Sequence, residues 1–276
     1  MSEALFERIE RLVARLEKAF PVEVEPDWEG IAFRWVRQRG LVRVKHPHAL
    51  DLGSLKGIDA QIRLADANTA QFVKGRPANN VLLTGARGTG KSSLVKALLN
   101  RYSGEGLRLV EVEKKDLVDL PDIVERLEGR GERFIIFCDD LSFDRDEGGY
   151  RELKVVLDGS IAASPENVLV YATSNRRHLM PEYMAENLEV SRFGEEIHPG
   201  ETIEEKVSLS DRFGLWIPFH AFDQEQYLAI VDEWLNHFGV KSREGVRKAA
   251  LQWALSRGAR SGRVAFQFAC DWAGSR

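Results

Sequence analysis

From residue 81 onward the chain is built of short, solidly apolar runs: VLLT at 81, LRLVEVE at 107, FIIFCDD at 134, NVLVYATS at 167 and LWIPF at 215. Between them lie segments with helical spacing, among them SLVKALLN, a stretch near 119–128 and one that aligns Tyr150, Leu153 and Leu157. A strand wetted on one face alternates apolar with polar residues. A run that is apolar throughout is buried on both faces, as happens in a parallel sheet with helices above and below. The pattern predicts an α/β domain with a parallel sheet and helices on both faces.

The flanks read differently. Leu5, Ile9, Leu12, Val13, Leu16 and Phe20 fall on one helical face that Pro21 ends. From 28 to 45, Trp28, Ile31, Trp35 and Val36 are interspersed with Arg34, Arg37, Arg39, Arg43 and Lys45, and no acid occurs between Glu29 and Asp51. Two readings are open: a helical lead-in with solvated arginines, or a basic, aromatic surface that touches nucleic acid or a partner. Residues 1–50 are assigned on the first reading to an N-terminal helical extension. After Phe219 no strand is predicted. Asp223 with Gln226 forms a capping box for a helix carrying Tyr227, Val231, Trp234 and Phe238 and closed by Gly239. Ser242 opens a second helix with Val246, Ala249, Ala250 and Trp253, and Ser261 a third with Val264, Phe268 and Trp272.

Composition removes several classes of function. The 276 residues are 43% hydrophobic and 30% charged, enough for a large core and one small appendage. No apolar run approaches the length of a membrane span, and the charged start MSEALFERIERLVARLEKAF is neither signal peptide nor anchor, so the expected location is the cytoplasm. A net charge of -4 argues against a generally basic nucleic-acid surface and leaves a local one open. Cys138 and Cys270, far apart and outside any CxxC or Cys/His cluster, are expected to be reduced, buried, small hydrophobes. The six histidines show no metal-ligand spacing, His46 and His48 flanking Pro47 and His178 following two arginines, and no GxSxG is present.

The chemistry concentrates at three strand ends. GARGTGKSS supplies Gly85, Ala86, Arg87, Gly88, Thr89, Gly90, Lys91, Ser92 and Ser93, the pattern G-x-x-x-x-G-K-[ST] between an apolar strand and a helix. Gly85, Gly88 and Gly90 let the backbone wrap a phosphate, the helix N-terminus faces the anion, Lys91 reaches the β and γ phosphates, and the Ser92 hydroxyl can ligate Mg²⁺. The bland reading is a glycine-rich turn with no ligand. FIIFCDD ends in two adjacent carboxylates that repel each other. In a parallel sheet ligands lie beyond the carboxyl ends of the strands, so a phosphate-bound metal offsets that repulsion. Asp139 would hold the ion and Asp140 would orient or deprotonate the attacking water, unless both cap the next helix. The next strand offers Thr173, Ser174 and Asn175; Asn175 is the candidate for the γ-phosphate or that water, against a plain turn residue.

In motif order, the phosphate loop, FIIFCDD, the polar residue of ATSN, SLSDRFGLW and the helical tail together resemble an AAA+ ATPase from about Leu52 to the C-terminus. ANNVLLTGARGTGKSSLVKALLN, CDDLSF, YATSNRRHL and SLSDRFGLW further resemble a bacterial family of AAA+ P-loop ATP-binding proteins described only as a domain of unknown function. The resemblance implies a five-stranded sheet domain over 51–219, a helical lid over 220–276, ATP or ADP, and Mg²⁺. It also implies that Asn175 is the first sensor and that Arg212 of SDRFG reaches into a neighbouring copy's ATP site in a homo-oligomer, with an intrachain pair to Asp211 or Glu205 as the alternative. Arg260 and Arg263 are two candidates for the second sensor, between which the sequence does not choose; a basic helix cap is the bland reading. Leu55 to Gln61 resembles the strip covering adenine, with Gly57 and Ile58 nearest the base. One departure stands out: the family usually carries Asp-Glu where this chain has Asp139-Asp140, and misplacement by about 1 Å can cost around a hundredfold in rate. The expected function is an AAA+ ATPase that hydrolyses ATP-Mg to assemble or remodel an unknown partner. The alternatives are a slowly hydrolysing switch or scaffold, a nucleic-acid loader suggested by residues 34–45 and by the similarity of SDRFG to bacterial replication initiators, and, as a poorer fit, a small-molecule kinase.

Overall fold

The computed structural model describes residues 8, 10–12, 25–143, 149–159, 165–175, 209–241 and 244–275. Within them seven strands form one sheet: β1 (Ala32–Val36), β2 (Gly40–Arg43), β3 (Val81–Gly85), β4 (Leu107–Glu111), β5 (Arg133–Cys138), β6 (Val168–Ser174) and β7 (Leu215–Phe219), in the order β2-β1-β4-β5-β6-β3-β7. All neighbours are parallel except β1 with β2. The described helices are α1 (Asp59–Val73), α2 (Lys91–Tyr102), α3 (Leu120–Leu127), α4 (Tyr150–Asp158), α5 (Gln224–His237), α6 (Val246–Ser256) and α7 (Gly262–Gly274).

The solid apolar runs are explained by period-2 alternation with both faces covered. In β5, Ile135 and Phe137 pack on the face lined by α1, α2 and the C-terminal helices, while Phe134, Ile136 and Cys138 pack on the face lined by α3 and α4. β3 divides likewise, Val81 and Leu83 on the first face and Leu82 on the second. All five strands expected from residue 81 onward are present, and their carboxyl ends bring Gly85, Asp139 and Asn175 to one edge.

The sheet has seven strands rather than five because the expected helical lead-in is an antiparallel hairpin. Phe33 and Trp35 alternate with Arg34, and both bury against the α3–α4 face, which a strand does and a helix cannot. Arg39 donates its N–H to the Val36 carbonyl at 2.9 Å to close the turn, with Gln38 and Gly40 at φ 75° and 73°. The hairpin then adds to β4 through Phe33 opposite Val110. Three of its arginines are paired: Arg34 with Glu111 at 2.8 Å, Arg37 with Asp119 at 3.2 Å and Arg43 with Asp27 at 2.6 Å, while Arg39 and Lys45 are exposed. Glu111 and Asp119 are some eighty positions away, so part of the segment's apparent excess of positive charge is offset by acids that its own stretch of sequence does not contain.

Of the expected helix over 5–20, only residues 8 and 10–12 are described; they are helical and exposed. The capping box of Asp223 and Gln226 forms, and the Ser261 hydroxyl accepts the Val264 N–H at 3.3 Å. Ser242 lies outside the described residues. Burial pushes the Cys138 thiol up to about 12, whereas Cys270, expected inside, is exposed on α7.

Candidate active site

The turn from β3 into α2 is possible only because its glycines lack side chains. A Cβ on Gly85, at φ 128°, would lie 1.9 Å from the Phe219 carbonyl oxygen at the end of β7. Gly88 and Gly90 hold φ 73° and 97°, which other residues rarely adopt. Gly90 is the N-cap of α2, so the helix begins at Lys91.

Lys91 is buried, 6% exposed, and its Nζ donates to the Gly85 and Ala86 carbonyls at 2.7 and 2.8 Å and to Asn175 Oδ1 at 3.1 Å. All three ammonium hydrogens are therefore engaged. Burial pulls the Lys91 pKa below its ordinary value, and the charges of Asp139 and Asp140 act against that pull. Asp139 Oδ1 accepts from Ser92 Oγ and from Thr173 Oγ1, both at 2.6 Å. Asp140 turns into the left-handed region at φ 53°, donates its N–H to Thr173 Oγ1 at 2.8 Å and accepts from the Asn175 amide. The Arg87 guanidinium stands 3.6 Å from its other oxygen. Lys91, Asn175, Asp140 and Arg87 thus form one polar chain across three strand ends.

These groups line a cavity of about 820 Å³ whose wall also includes Ile58, Phe222, Ile230, Trp234, Arg263 and Phe266. The size suits a nucleotide-sized ligand. The C-terminal helices close on the phosphate loop directly: Gly262 donates its N–H to the Gly88 carbonyl at 2.7 Å, and a Cβ on Gly88 would meet Ser261 at 2.9 Å. The donor set at the charged end fits a magnesium triphosphate. A hydroxyl and a carboxylate in contact, Ser92 and Asp139, are the hard oxygen ligands Mg²⁺ prefers, and a loop that excludes Cβ atoms leaves backbone room for an anion.

A sequence profile described as a protein of unknown function, DUF815, matches residues 29–276. The chain belongs to that family. This DUF815 chain is also similar to the 26S proteasome regulatory subunit 4 homologs of Saccharomyces cerevisiae, 34% identical over 90 residues that make up 29% of this chain and 21% of that one, and of Schizosaccharomyces pombe, 32% over 124 residues, 38% and 28%. It therefore spans between about a fifth and just over a quarter of those proteins. Among solved structures it is similar to the Thermotoga maritima RuvB Holliday junction branch migration motor, with TM-score 0.53, 17% identity, and 79% of this chain and 62% of that one covered. The Aeropyrum pernix ORC1 protein, solved in complex with DNA, gives TM-score 0.53 and 18% identity over 77% and 58%. The fold is that of the AAA+ ATPases.

In this DUF815 chain the cavity wall includes Arg87, Gly88, Thr89, Gly90, Lys91, Ser92, Ser93, Asp139, Asp140, Asn175, Ile58 and Arg263. Gly85 and Ala86 stand behind Lys91 as its acceptors. Arg260 is not on that wall and lines an adjoining cavity of about 480 Å³ that shares Arg87, Thr89 and Phe222 with it, which distinguishes the two lid arginines that the sequence left equal. Gly57 is not on the wall; at φ 75° it lets Phe222 come within 3.3 Å of where its Cβ would be, which packs the 55–61 strip against the lid. Arg212 is away from the cavity, its Nε 2.5 Å from Asp158 Oδ2, a partner other than Asp211; Glu205 lies outside the described residues. Sequence reasoning passed over Thr173 in favour of Asn175, although residues two apart on a strand emerge on the same side and Thr173 bonds both aspartates. It also missed Phe222, Ile230 and Phe266, and read Trp234 only as a residue on one face of a helix.

Proposed function

We propose that this protein binds ATP with Mg²⁺ between the sheet edge and the C-terminal helices and hydrolyses it to drive assembly or remodelling of a partner. The observation that carries the reading is the convergence of Lys91, Ser92, Asp139, Asp140 and Asn175, from three strands, at the tip of a loop shaped for an anion. Bound Mg²⁺ would neutralise charge on the phosphates and on the paired aspartates. Lys91 gives up its contacts with the loop carbonyls to reach the β and γ phosphates, Ser92 and Asp139 hold the ion, and Asp140 with Asn175 orients the attacking water and takes its proton. Arg263 is the lid residue suited to sense the γ-phosphate. Arg212, remote from its own cavity, suits a role in trans: in a homo-oligomer it leaves Asp158 and stabilises charge on a neighbour's phosphoryl group. We place residues 51–219 in the nucleotide-binding domain, extended by the hairpin, and 220–276 in the lid. Free thiols and a charged surface fit the cytoplasm.

A second reading, a switch that assembles on ATP and hydrolyses it slowly, is favoured by one observation: Asp140, one methylene shorter than the usual glutamate, is clasped by Asn175 and Arg87. Loading of nucleic acid has less support, because Arg34, Arg37 and Arg43 are paired with acids. Steady-state ATP turnover of the wild type, Lys91→Ala and Asp140→Glu separates the readings. Measurable wild-type turnover that Lys91→Ala abolishes supports the ATPase. Its absence, with a large gain in Asp140→Glu, supports the switch. ATP binding that survives Lys91→Ala unchanged overturns both. Mass measurement with ATP, ADP and no nucleotide on the wild type and Arg212→Ala tests the trans contact.

A further inference from the structure

A second large cavity, of about 780 Å³, opens at the amino ends of β5 and β6, away from the phosphate loop. Its apolar lining comes from Pro121 and Val124 of α3 and from Val155, Val156 and Leu157 of α4. Val155 is left 45% exposed. A trough of this kind along two helices is a surface that an amphipathic helix can cover. Its two sides differ in charge. Glu125 and Glu128, both exposed, lie at the end of α3. Arg76 and Arg133 lie toward α1 on the other face of the sheet, the Arg133 guanidinium 5.7 Å from the Phe72 ring. Glu166 is on that side too, and its backbone carbonyl accepts from Arg133 at 2.6 Å.

The segment before Pro21 has the matching pattern. Read as a helix, it puts Leu5, Ile9, Leu12, Val13, Leu16 and Phe20 on one face. Arg8, Arg11, Arg15 and Lys18 run along one flank of that face, and Glu3, Glu7, Glu10 and Glu17 along the other. Leu12 is 58% exposed. The chain also enters the fold beside the trough. Trp28 lies under the Arg130 guanidinium at 3.6 Å and edge-on to Phe134 at 6.1 Å, and these two neighbours follow Glu128 and Arg133 of the wall closely in sequence. Asp27 is held by Arg43 at 2.6 Å, and the six residues 21–26 before it reach about 20 Å when extended.

We infer that residues 5–20 dock as an amphipathic helix in this trough of their own chain. The apolar face lies on Val124 and Val155, the basic flank along Glu125 and Glu128, and the acidic flank toward Arg76 and Arg133. The two flanks thereby select one direction of the helix along the trough. The inference is independent of the nucleotide reading. It has a bearing on Arg212, because Asp158, which stands 2.5 Å from Arg212 Nε, is one turn beyond Val155 on the same side of α4. A seated segment braces the helix that carries this carboxylate.

Two measurements on the full chain test it. In hydrogen exchange, Leu12→Asp is expected to speed exchange in α3 and α4 by about tenfold or more, the factor that loss of one buried leucine costs the docked state, and to leave α2 and β3 unchanged. Unchanged exchange in α3 and α4 would overturn the inference. Disulfide trapping then identifies the chain that holds the segment, in a Cys270→Ser background that leaves only the buried Cys138. Leu12→Cys is combined with Val155→Cys or, as a control, with Leu255→Cys, a position 83% exposed on α6. Under mild oxidation the Val155 pair is expected to close within one chain about tenfold or more faster than the control, because docking raises the local concentration of one thiol at the other. Equal rates for the two pairs would overturn the inference. So would a Val155 pair that closes only as a covalent dimer, which would put the segment on a second copy.

Discussion

The two parts of the cavity wall, the phosphate end around the loop and the lid side, were assembled by the chain in opposite ways. The phosphate end is local: nine consecutive residues from Gly85 to Ser93 form the loop, and each partner, Asp139 or Asn175, stands at the first turn after an apolar strand. The lid side is collected from the 55–58 strip, the linker at Phe222 and two separate lid helices. The difference is between contacts written in sequence spacing and contacts that exist only once the lid has docked. Substitutions at the two ends should therefore fail differently.

The largest effect belongs to the floor of the phosphate end. Gly85→Ala places a methyl 1.9 Å from a backbone oxygen of β7, and backbone at both sides leaves nothing flexible to give way. A loss of about 3 kcal/mol or more in urea unfolding is expected. A variant of near wild-type stability would mean that the strand ends are looser than described and that the loop is not a preformed cradle.

Next comes Lys91→Ala, which removes a buried donor to three acceptors. Hydrogen bonds from a charged donor contribute about 1.5–3 kcal/mol, so losing those to the phosphates should lower ATP affinity by roughly 10- to 150-fold, and the ligand-free fold should lose some stability as well because the Gly85 and Ala86 carbonyls and Asn175 lose their donor. A titration in which stability falls and affinity does not would invert the roles assigned to the two ends.

On the lid side the expected losses are smaller and concern docking. Gly57 holds φ 75° with Phe222 and Gln226 within 3.4 Å of its missing Cβ. Gly57→Ala should cost about 1–2 kcal/mol from the left-handed backbone alone. Hydrogen exchange should show the loss in α5 and the strip around Ile58 rather than in β3 and β5. Uniform loss across the sheet would contradict a lid that docks as a separate layer.

The same contrast explains what could be read from the sequence. The five parallel strands announced themselves because both-face burial leaves no polar residue to interrupt a run such as Phe134–Cys138. The phosphate loop was legible because its roles need fixed spacing. The hairpin was not: Trp28, Ile31 and Trp35 fit helical spacing as well as Phe33 and Trp35 fit alternation, and the choice is made by Val110 on β4, which periodicity does not see. Trp234 and Phe266 were legible as helix residues, but a ring that faces a cavity and one that faces the core have the same sequence spacing. Arg260 and Arg263 looked equal even with Ser261 read as the start of the last helix, because which arginine lines the larger cavity is decided by how that helix docks on the phosphate loop.

The smallest effect lies outside both ends and sets the floor for the series. Arg34 pairs with Glu111 at 2.8 Å on an exposed strand, and hydrogen bonding to that carboxylate raises the arginine's pKa further. Exposed pairs contribute only about 0.2–1 kcal/mol and are screened by salt, so Arg34→Ala should shift unfolding by no more than that, and by less at high ionic strength. Because the guanidinium is already occupied by an acid, the salt dependence of any DNA binding should also be unchanged in this variant. A slope reduced by about one would mean that Arg34 exchanges Glu111 for a phosphate, and would restore the hairpin as a nucleic-acid surface.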